Sequence, residues 1–149
     1  MKIYTSYFYQ IRNFPKNLIP LSTAVSGPKW FYPQHFDKRG ILNGIRAWPF
    51  VPQMPYGLCL GQPCEEQPRE CEFLNQYYKQ LNKLDFLQIM ERFVLLKQKL
   101  CHDLSLPDID FALMVYEVPN NPCSERQIIH RWFNDHNQPI KEWSKVEIF

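Results

Sequence analysis

The sequence lacks the features that identify several large classes of protein. Its longest uninterrupted apolar run, Phe111–Tyr116, is far shorter than the roughly 20 residues that a membrane-spanning helix needs, so we expect no membrane partner. Its net charge of +2 is too small to indicate a nucleic-acid-binding protein by charge alone. The segment Met1–Ser6 has neither the apolar stretch nor the cleavage site of a secretory signal, which predicts a cytoplasmic protein.

Common signature motifs are absent and glycine is scarce. The chain has no G-x-x-x-x-G-K-[ST] loop, no G-x-G-x-x-G turn and no H-E-x-x-H helix, so these phosphate-binding and zinc-protease signatures are excluded. Only 5 glycines stand against 13 prolines, and the aromatic residues are 4 Trp, 8 Tyr and 11 Phe. This composition is typical of stiff, aromatic-lined loops on a small scaffold.

The strand candidates indicate a parallel sheet. They are Ile3–Phe8, Leu18–Val25, Ile109–Val118 and Glu142–Phe149. The third is almost continuously apolar, as expected for a central strand of a parallel sheet that helices cover. In the second, Pro20 lacks an N–H, which places the start of that strand at a sheet edge or a bulge.

Helical spacing fills the later part of the chain. Apolar residues recur at helical intervals, with a break at Asn82–Asp85, and are expected to face the core: Phe73, Leu74, Tyr77, Tyr78, Leu81, Leu87, Met90, Phe93, Val94, Lys97 and Leu100, then Ile128, Ile129, Trp132 and Phe133. The order strand, strand, helices, strand, helix, strand predicts one α/β domain over residues 1–149. We expect a small Rossmann-like three-layer domain with a mostly parallel sheet. Residues 26–67 form a long Pro-, Gly- and Cys-rich insertion without a clear period, which points to function.

The segment after the third strand carries the densest chemistry. Ser124 with Gln127 fits a capping box, which makes Ser124 the N-cap of a helix. Cys123 then lies at the positive helix end, where a thiol pKa is lowered, and Arg126 in the first turn can bind a carboxylate or phosphate. The loop also follows the carboxyl end of a buried strand, where open α/β sheets bind ligands. These features predict an anion or nucleotide pocket.

Two other interpretations of this loop stay open. In one, Cys123 packs as a small apolar residue and Arg126 pairs with Glu117 or Glu125. In the other, Cys123 is a catalytic nucleophile and Glu117 or Glu125 transfers protons.

Three cysteines in the insertion suggest a metal site. Cys59, Cys64 and Cys71 have the spacing C-x4-C-x6-C, and thiolates bind zinc or an iron–sulfur cluster. The alternative is free thiols, since disulfides are rare in a reducing cytoplasm. Candidates for a fourth ligand are His35, Cys101, His102 and Cys123.

Two segments of the insertion interleave cations with aromatic rings. They are Gly27–Tyr32, which holds Lys29 and Trp30, and Arg46–Phe50, which holds Trp48. Such patterns serve as stacking platforms for nucleic-acid bases. The same rings could instead form a small core within the insertion.

Several segments together resemble a known family. They are Ile3–Phe8, Ser26–Phe31, Leu113–Glu117, Pro122–Arg126 and Trp132–Phe133, with Cys59, Cys64, Cys71–Leu74 and Leu84–Phe86. This pattern resembles domain-of-unknown-function family 488, most closely its short members from phages and prophages. The resemblance implies a cytoplasmic α/β domain of bacteria or their viruses and carries over no established reaction. Typical members resemble Cys-His-Arg at the loop, where this chain has Ser124-Glu125 in place of the histidine.

The sequence as a whole predicts a small protein, phage-encoded if the resemblance holds, that binds an anionic ligand, either a nucleotide or nucleic acid. Cys123, Ser124 and Arg126 would hold the anion, with aromatic walls from Tyr7, Trp30 or Trp48. Binding without catalysis would sequester a signal nucleotide or inhibit a host protein. The alternatives are an enzyme that modifies nucleotides or nucleic acids through Cys123, and a metal-stapled module that binds another protein.

Overall fold

A computed structural model describes residues 1–58, 64 and 71–145. Its strands are β1 (Ile3–Tyr7), β2 (Leu18–Ser22), β3 (His35–Phe36), β4 (Leu42–Asn43), β5 (Ile45–Arg46), β6 (Asp110–Val115) and β7 (Lys141–Glu142). Its α-helices are α1 (Glu72–Asn82), α2 (Phe86–Leu104) and α3 (Arg126–Asp135). Short 3-10 helices span Phe8–Asn13, Lys29–Phe31, Trp48–Phe50 and Tyr56–Leu58.

Five strands form one parallel sheet in the order β5-β2-β6-β1-β7. The predicted parallel sheet is therefore confirmed, with β6 at its centre. Leu113 of β6 lies between Thr5 of β1 and Leu21 of β2. The segment Phe111–Val115 is fully buried, because side chains on both faces of a central parallel strand are covered.

The sheet lies between two layers of different construction. The buried faces of α1, α2 and α3 pack on the side that carries Phe111 and Leu113. The other side, with Ala112 and Met114, is covered by the 3-10 helix Phe8–Asn13 and by loops. This arrangement is the Rossmann-like three-layer domain that the sequence predicts, with loops in place of α-helices on one face.

The predicted core face of α2 is confirmed at some positions and wrong at others. The break before this helix is confirmed, since Asp85 caps it by accepting the N–H of Gln88 at 3.2 Å. However, Leu87 is 76% exposed and Val94 is also exposed, whereas the buried positions are Ile89, Phe93 and Leu100. The predictions for Phe93 and Leu100 are thus confirmed, and those for Leu87 and Val94 are wrong. None of the helices in the described part of the chain combines the length and apolarity that crossing a membrane requires.

The described part of the predicted insertion, residues 26–58, is ordered around the sheet. β3 and β4 form an antiparallel pair, and β5 joins the main sheet beside β2. Arg39 connects this region to the 3-10 helix Phe8–Asn13 and to Phe14 through hydrogen bonds. Its guanidinium donates to the carbonyl oxygens of Ile11, Arg12 and Phe14 at 3.1, 2.6 and 2.8 Å. Strands of two residues are too short to leave a periodic pattern, which explains why the sequence does not reveal them.

Pro20 lies at a locally open edge, as its missing N–H predicts. Thr23 donates its backbone N–H to Met114 of β6, whereas the carbonyl of Ser22 accepts from Ala47 on the opposite side. By strand alternation Pro20 therefore faces the side of β5. Pairing with β5 begins only at Leu21, so no sheet hydrogen bond is lost.

Glycine is required at position 44, and this requirement can be tested. Gly44 has φ +99°, and a Cβ there would lie 2.5 Å from the backbone of Gln34. We expect Gly44→Ala to lower the free energy of unfolding by more than about 1 kcal/mol, because alanine neither fits that space nor favours that φ. The matched control is Gly57→Ala, since a Cβ at Gly57 meets nothing within 4 Å. Equal stability of the two variants in urea denaturation would show that position 44 tolerates a side chain and does not require glycine.

Candidate functional site

The topology creates a crevice at the carboxyl ends of β1 and β6. From β1 the chain passes over one face of the sheet, through the 3-10 helix Phe8–Asn13, to reach β2. From β6 it passes over the other face, through α3, to reach β7. Neighbouring strands whose connections leave to opposite faces open a crevice between them, and open α/β sheets bind ligands there. The two sides of this crevice differ in chemistry.

On the helical side, the guanidinium of Arg126 already has hydrogen-bond partners within the protein. Its Nε donates to Glu142 Oε1 at 2.7 Å, and its terminal nitrogens donate to the carbonyl oxygens of Val118 and Glu117 at 3.0 and 2.7 Å. Its side chain is almost fully buried. Arg126 thus joins the loop after β6 to β7. It pairs with Glu142, rather than with the side chain of Glu117 or Glu125.

The hydroxyl of Ser124 also forms its hydrogen bonds with other residues of the protein. Helix α3 begins at Arg126 with Glu125 at its N-cap position, one residue later than predicted. Ser124 Oγ accepts the N–H of Arg126 at 3.2 Å and donates to Glu117 Oε2 at 3.0 Å. Gln127 donates to the carbonyl of Pro122, so the predicted capping box does not form. The carboxylates of Glu117 and Glu142 lie beside this helix end, and an added anion there would be repelled.

Glu125 has the most perturbed carboxyl group in the described part of the chain. It is fully buried, and its Oε1 accepts from Tyr56 OH at 3.1 Å and from Thr23 Oγ1 at 3.3 Å. Its Oε2 has no hydrogen-bond partner among the described residues. Burial, with repulsion from Glu117, raises the pKa of Glu125 to about 7, a value suited to proton transfer. With no exposed surface, this carboxyl does not meet a substrate in this conformation.

The structure corrects the cysteine predictions. Cys64 and Cys123 form a disulfide with a Cα–Cα distance of 5.3 Å, although the sequence favoured thiols or metal ligands. In this form Cys123 is not a nucleophile and Cys64 is not a metal ligand. Cys71 is a buried thiol, and Cys59 lies outside the described residues.

The predicted zinc or iron–sulfur site therefore stays a prediction. Among residues 1–58, 64 and 71–145, the His, Cys, Asp and Glu side chains form no group of three or more that could hold a metal ion. Of the candidate fourth ligands, Cys123 is in the disulfide, and His35 contacts the Pro33 carbonyl through Nδ1 at 2.7 Å. Cys101 and His102 lie near the carboxyl end of α2.

A partly buried polar cluster beside Arg126 is not predicted from the sequence. Thr5 Oγ1 lies 2.6 Å from His130 Nε2 and donates to Glu142 Oε1 at 2.7 Å. Burial and the neighbouring Arg126 lower the pKa of His130. The cluster links β1, α3 and β7. Thr5 lies 125 positions from His130 and 137 positions from Glu142 in the chain, so no local sequence pattern predicts the cluster.

On the opposite side, the crevice is open and aromatic. We call it the aromatic groove, a cavity of about 520 Å³ lined by Tyr7, Phe8, Tyr9, Pro28, Trp30, Tyr116 and Val118. Phe8 is buried at its floor and contacts Trp30 and Tyr116 edge-on, with centroids 6.4 and 6.0 Å apart. Tyr9, Trp30 and Tyr116 are 59%, 53% and 61% exposed. The predicted walls Tyr7 and Trp30 thus do meet in one cavity.

A second, basic cavity continues the aromatic groove. It has a volume of about 680 Å³ and shares Phe8, Tyr9 and Trp30 with the groove. Its other lining residues are Ile11, Arg12, His35, Phe36, Asp37, Lys38, Arg39 and Asn43. Three cationic side chains, Arg12, Lys38 and Arg39, therefore lie next to the rings, and Asp37 is the one carboxylate among these lining residues. The two remaining predicted binding residues lie elsewhere, since Lys29 is exposed beside Trp30 and Trp48 lines a separate cavity next to β5.

Comparison with known proteins adds no relative: no family model, no curated protein and no solved structure matches this chain. The resemblance to family 488 therefore stays a prediction.

The titration of Glu125 predicts a loss of stability as the pH rises. The folded chain holds this proton up to about pH 7, whereas the ordinary pKa is 4.5. The unfolding free energy should therefore fall between about pH 4.5 and 7, by about 3 kcal/mol from this residue. Glu125→Gln should remove this component and be the more stable protein at pH 8. Glu91→Gln, an exposed change on α2, is the control. An unchanged pH profile in Glu125→Gln would contradict the prediction.

The disulfide predicts a second effect on stability. Cys64 and Cys123 are 59 positions apart, and closing a loop of that length restricts the unfolded chain by about 4 kcal/mol. A reducing agent should therefore lower the unfolding free energy, and Cys123→Ser should match the reduced protein. Cys101→Ser, at a partly buried thiol, should leave the effect of the reducing agent intact. Peptide mapping after alkylation of the unreduced, denatured chain should label Cys101 but not Cys64 or Cys123.

Proposed function

We propose that this protein binds an anionic ligand that carries a flat ring system, a nucleotide or nucleic acid, in the aromatic groove and the basic cavity beside it. The observation that carries the proposal is the set of exposed rings around Phe8 at the crevice between β1 and β6. It keeps the ligand class that the sequence predicts but moves the site from Cys123–Arg126 to the other side of the sheet.

The rings supply the stacking surface. Tyr9, Trp30 and Tyr116 expose most of their area, and large aromatic side chains exposed together in a cavity commonly mark a binding site. A base stacked on such a ring contributes about 1–3 kcal/mol, with little dependence on which base it is. The edge-on contacts of Phe8 fix Trp30 and Tyr116 before a ligand arrives, which reduces the entropy lost on binding.

The neighbouring cations supply the attraction for phosphate. Arg12 lies over the ring of Tyr9, with its Cζ 3.8 Å from the ring centroid. Lys38 and Arg39 line the same cavity. Its one carboxylate, Asp37, already accepts the N–H groups of Arg39 and Ile41 at 2.9 Å. A ligand with rings at Trp30 and phosphate at Arg12 would therefore satisfy both parts of the site.

The proposal is for binding without catalysis, by a protein that sequesters its ligand. The groups proposed from the sequence for chemistry, Cys123, Glu117 and Glu125, do not line the groove or the basic cavity. Cys123 is held in the disulfide, and Glu125 is buried. Binding by the rings needs neither.

The test is a pair of tryptophan substitutions. Adenosine monophosphate and a single-stranded oligonucleotide of mixed sequence should bind in titration calorimetry, and ribose 5-phosphate, which lacks a base, should not. Trp30→Ala should weaken binding roughly ten-fold or more, from the loss of stacking. Trp48→Ala removes another exposed indole, which lies outside the groove, and should leave binding unchanged. The relative affinity of the two probes distinguishes a mononucleotide from a nucleic-acid strand as the ligand.

Three results would overturn the proposal. One is that neither nucleotide probe binds. Another is that Trp30→Ala binds as well as the unaltered protein. The third is that ribose 5-phosphate binds as tightly as the nucleotide, since stacking would then contribute nothing.

A further inference from the structure

A third cavity extends the loop-covered side of the protein beyond the basic cavity. It has a volume of about 440 Å³ and shares Arg12 and Arg39 with the basic cavity. We call it the distal cavity, and its lining residues are Arg12, Asn13, Phe14, Pro15, Arg39, Trp143, Ser144 and Lys145. Three of these lining residues are cations, and none of them is acidic.

The three adjoining cavities follow the 3-10 helix Phe8–Asn13 along its length. The aromatic groove includes Phe8 and Tyr9, the basic cavity reaches from Phe8 to Arg12, and the distal cavity begins at Arg12 and Asn13. At a rise of about 2.0 Å per residue, this helix is roughly 10 Å long. Nucleotides of a stacked strand are about 3.4 Å apart, so the path has room for roughly four of them. A single nucleotide would cover only part of it.

Trp143 places an aromatic ring at the distal end of this path. Its backbone N–H donates to the carbonyl of Thr5 at 2.8 Å, and its ring contacts Phe14 edge-on with the centroids 4.8 Å apart. The residue is partly exposed and lines the distal cavity, whereas Trp30 lines the aromatic groove. The path therefore has a ring at each end and cations between them.

The cations along the path are not neutralised by acids. Arg12, Arg39 and Lys145 form no ion pair within the described part of the chain. Residues 1–58, which supply most of the loop-covered face, hold seven of the 17 Lys and Arg residues but one of the 15 acids, Asp37. An extended positive surface attracts a chain of phosphates more strongly than a single phosphate, because each phosphate that is bound releases counterions.

From this geometry we propose that the ligand is a single strand of nucleic acid, at least about four nucleotides long, rather than a free nucleotide. Its bases would stack at Trp30 and Trp143, and its phosphates would lie along Arg12, Arg39 and Lys145. The inference rests on the function proposed above, because the strand would use the same groove. Stacking rings beside a cationic path are the combination by which proteins bind single strands with little sequence preference.

Adenosine monophosphate and single-stranded oligoadenylates of two and four nucleotides are the probes, because they differ only in length. In titration calorimetry the affinity should rise at least about ten-fold from the mononucleotide to the tetranucleotide. In a plot of log affinity against log salt concentration, the slope should steepen by about 0.7 for each further phosphate bound. A DNA duplex should bind at least about five-fold more weakly than either of its separated strands, because paired bases cannot stack on the rings.

Two variants at the distal end separate the strand from the mononucleotide. Lys145→Ala, at an exposed residue, should reduce the salt slope of tetranucleotide binding by about 0.7. Trp143→Ala, with its fold checked by circular dichroism, should weaken tetranucleotide binding about five-fold or more. Both should bind adenosine monophosphate like the unaltered protein. Lys83→Ala is the matched control, because it removes one exposed charge at the end of α1 and should change neither affinity.

The outcomes distinguish this inference from the proposed function. If adenosine monophosphate binds and Trp30→Ala weakens it, but the tetranucleotide binds no more tightly, the groove holds a free nucleotide and only the strand is excluded. Unchanged tetranucleotide binding in Lys145→Ala, or in a folded Trp143→Ala, would also overturn the strand proposal, as would a duplex that binds as tightly as its separated strands. If neither the mononucleotide nor the tetranucleotide binds, both proposals are wrong.

Discussion

The burial of β6 between two parallel neighbours is the constraint on which the rest of this structure depends. Each side chain of Phe111–Val115 is removed from water, and burying a large apolar side chain contributes about 1.5–3 kcal/mol. Both faces of the sheet must therefore be covered. The connection after β1 covers one face of the sheet, and the connection after β6 covers the other. The crevice opens where these two connections diverge.

The two sides of that crevice have different roles because the polar and charged groups of only one side already have partners within the protein. The amino end of α3 favours a negative charge, and the sequence indicated that a ligand would supply it. The protein supplies its own through Glu117, whose carboxylate accepts from Ser124 Oγ, while Glu142 neutralises Arg126. On the loop-covered side, the rings of Trp30 and Tyr116 stay exposed and offer their faces to a ligand.

The loops that replace helices on the second face also explain the richness in proline and aromatic residues. A loop layer has few backbone hydrogen bonds of its own, so it needs stiff chain and large side chains to stay in place. Phe31 is fully buried there, and Arg39 fixes the loop through three carbonyl oxygens. The rings left at the surface, such as Trp30, form the groove. The same residues thus serve as core and as walls, two interpretations that the sequence left open as alternatives.

The sequence by itself determined the elements that carry a local pattern. The apolar run of β6, the stripes of α1 and α3, and the break capped by Asp85 all follow from the spacing of neighbouring residues, and together they define the parallel α/β fold. Tertiary structure alone decided the exposure of Leu87 and Val94 on α2, the two-residue strand β5, and the pairing of Cys64 with Cys123. It also decided which side of the crevice stays open, because Arg126 meets Glu142 only after β7 has joined the sheet. Contacts between distant segments leave no periodic trace in the chain, and they arise only when the sheet brings those segments together.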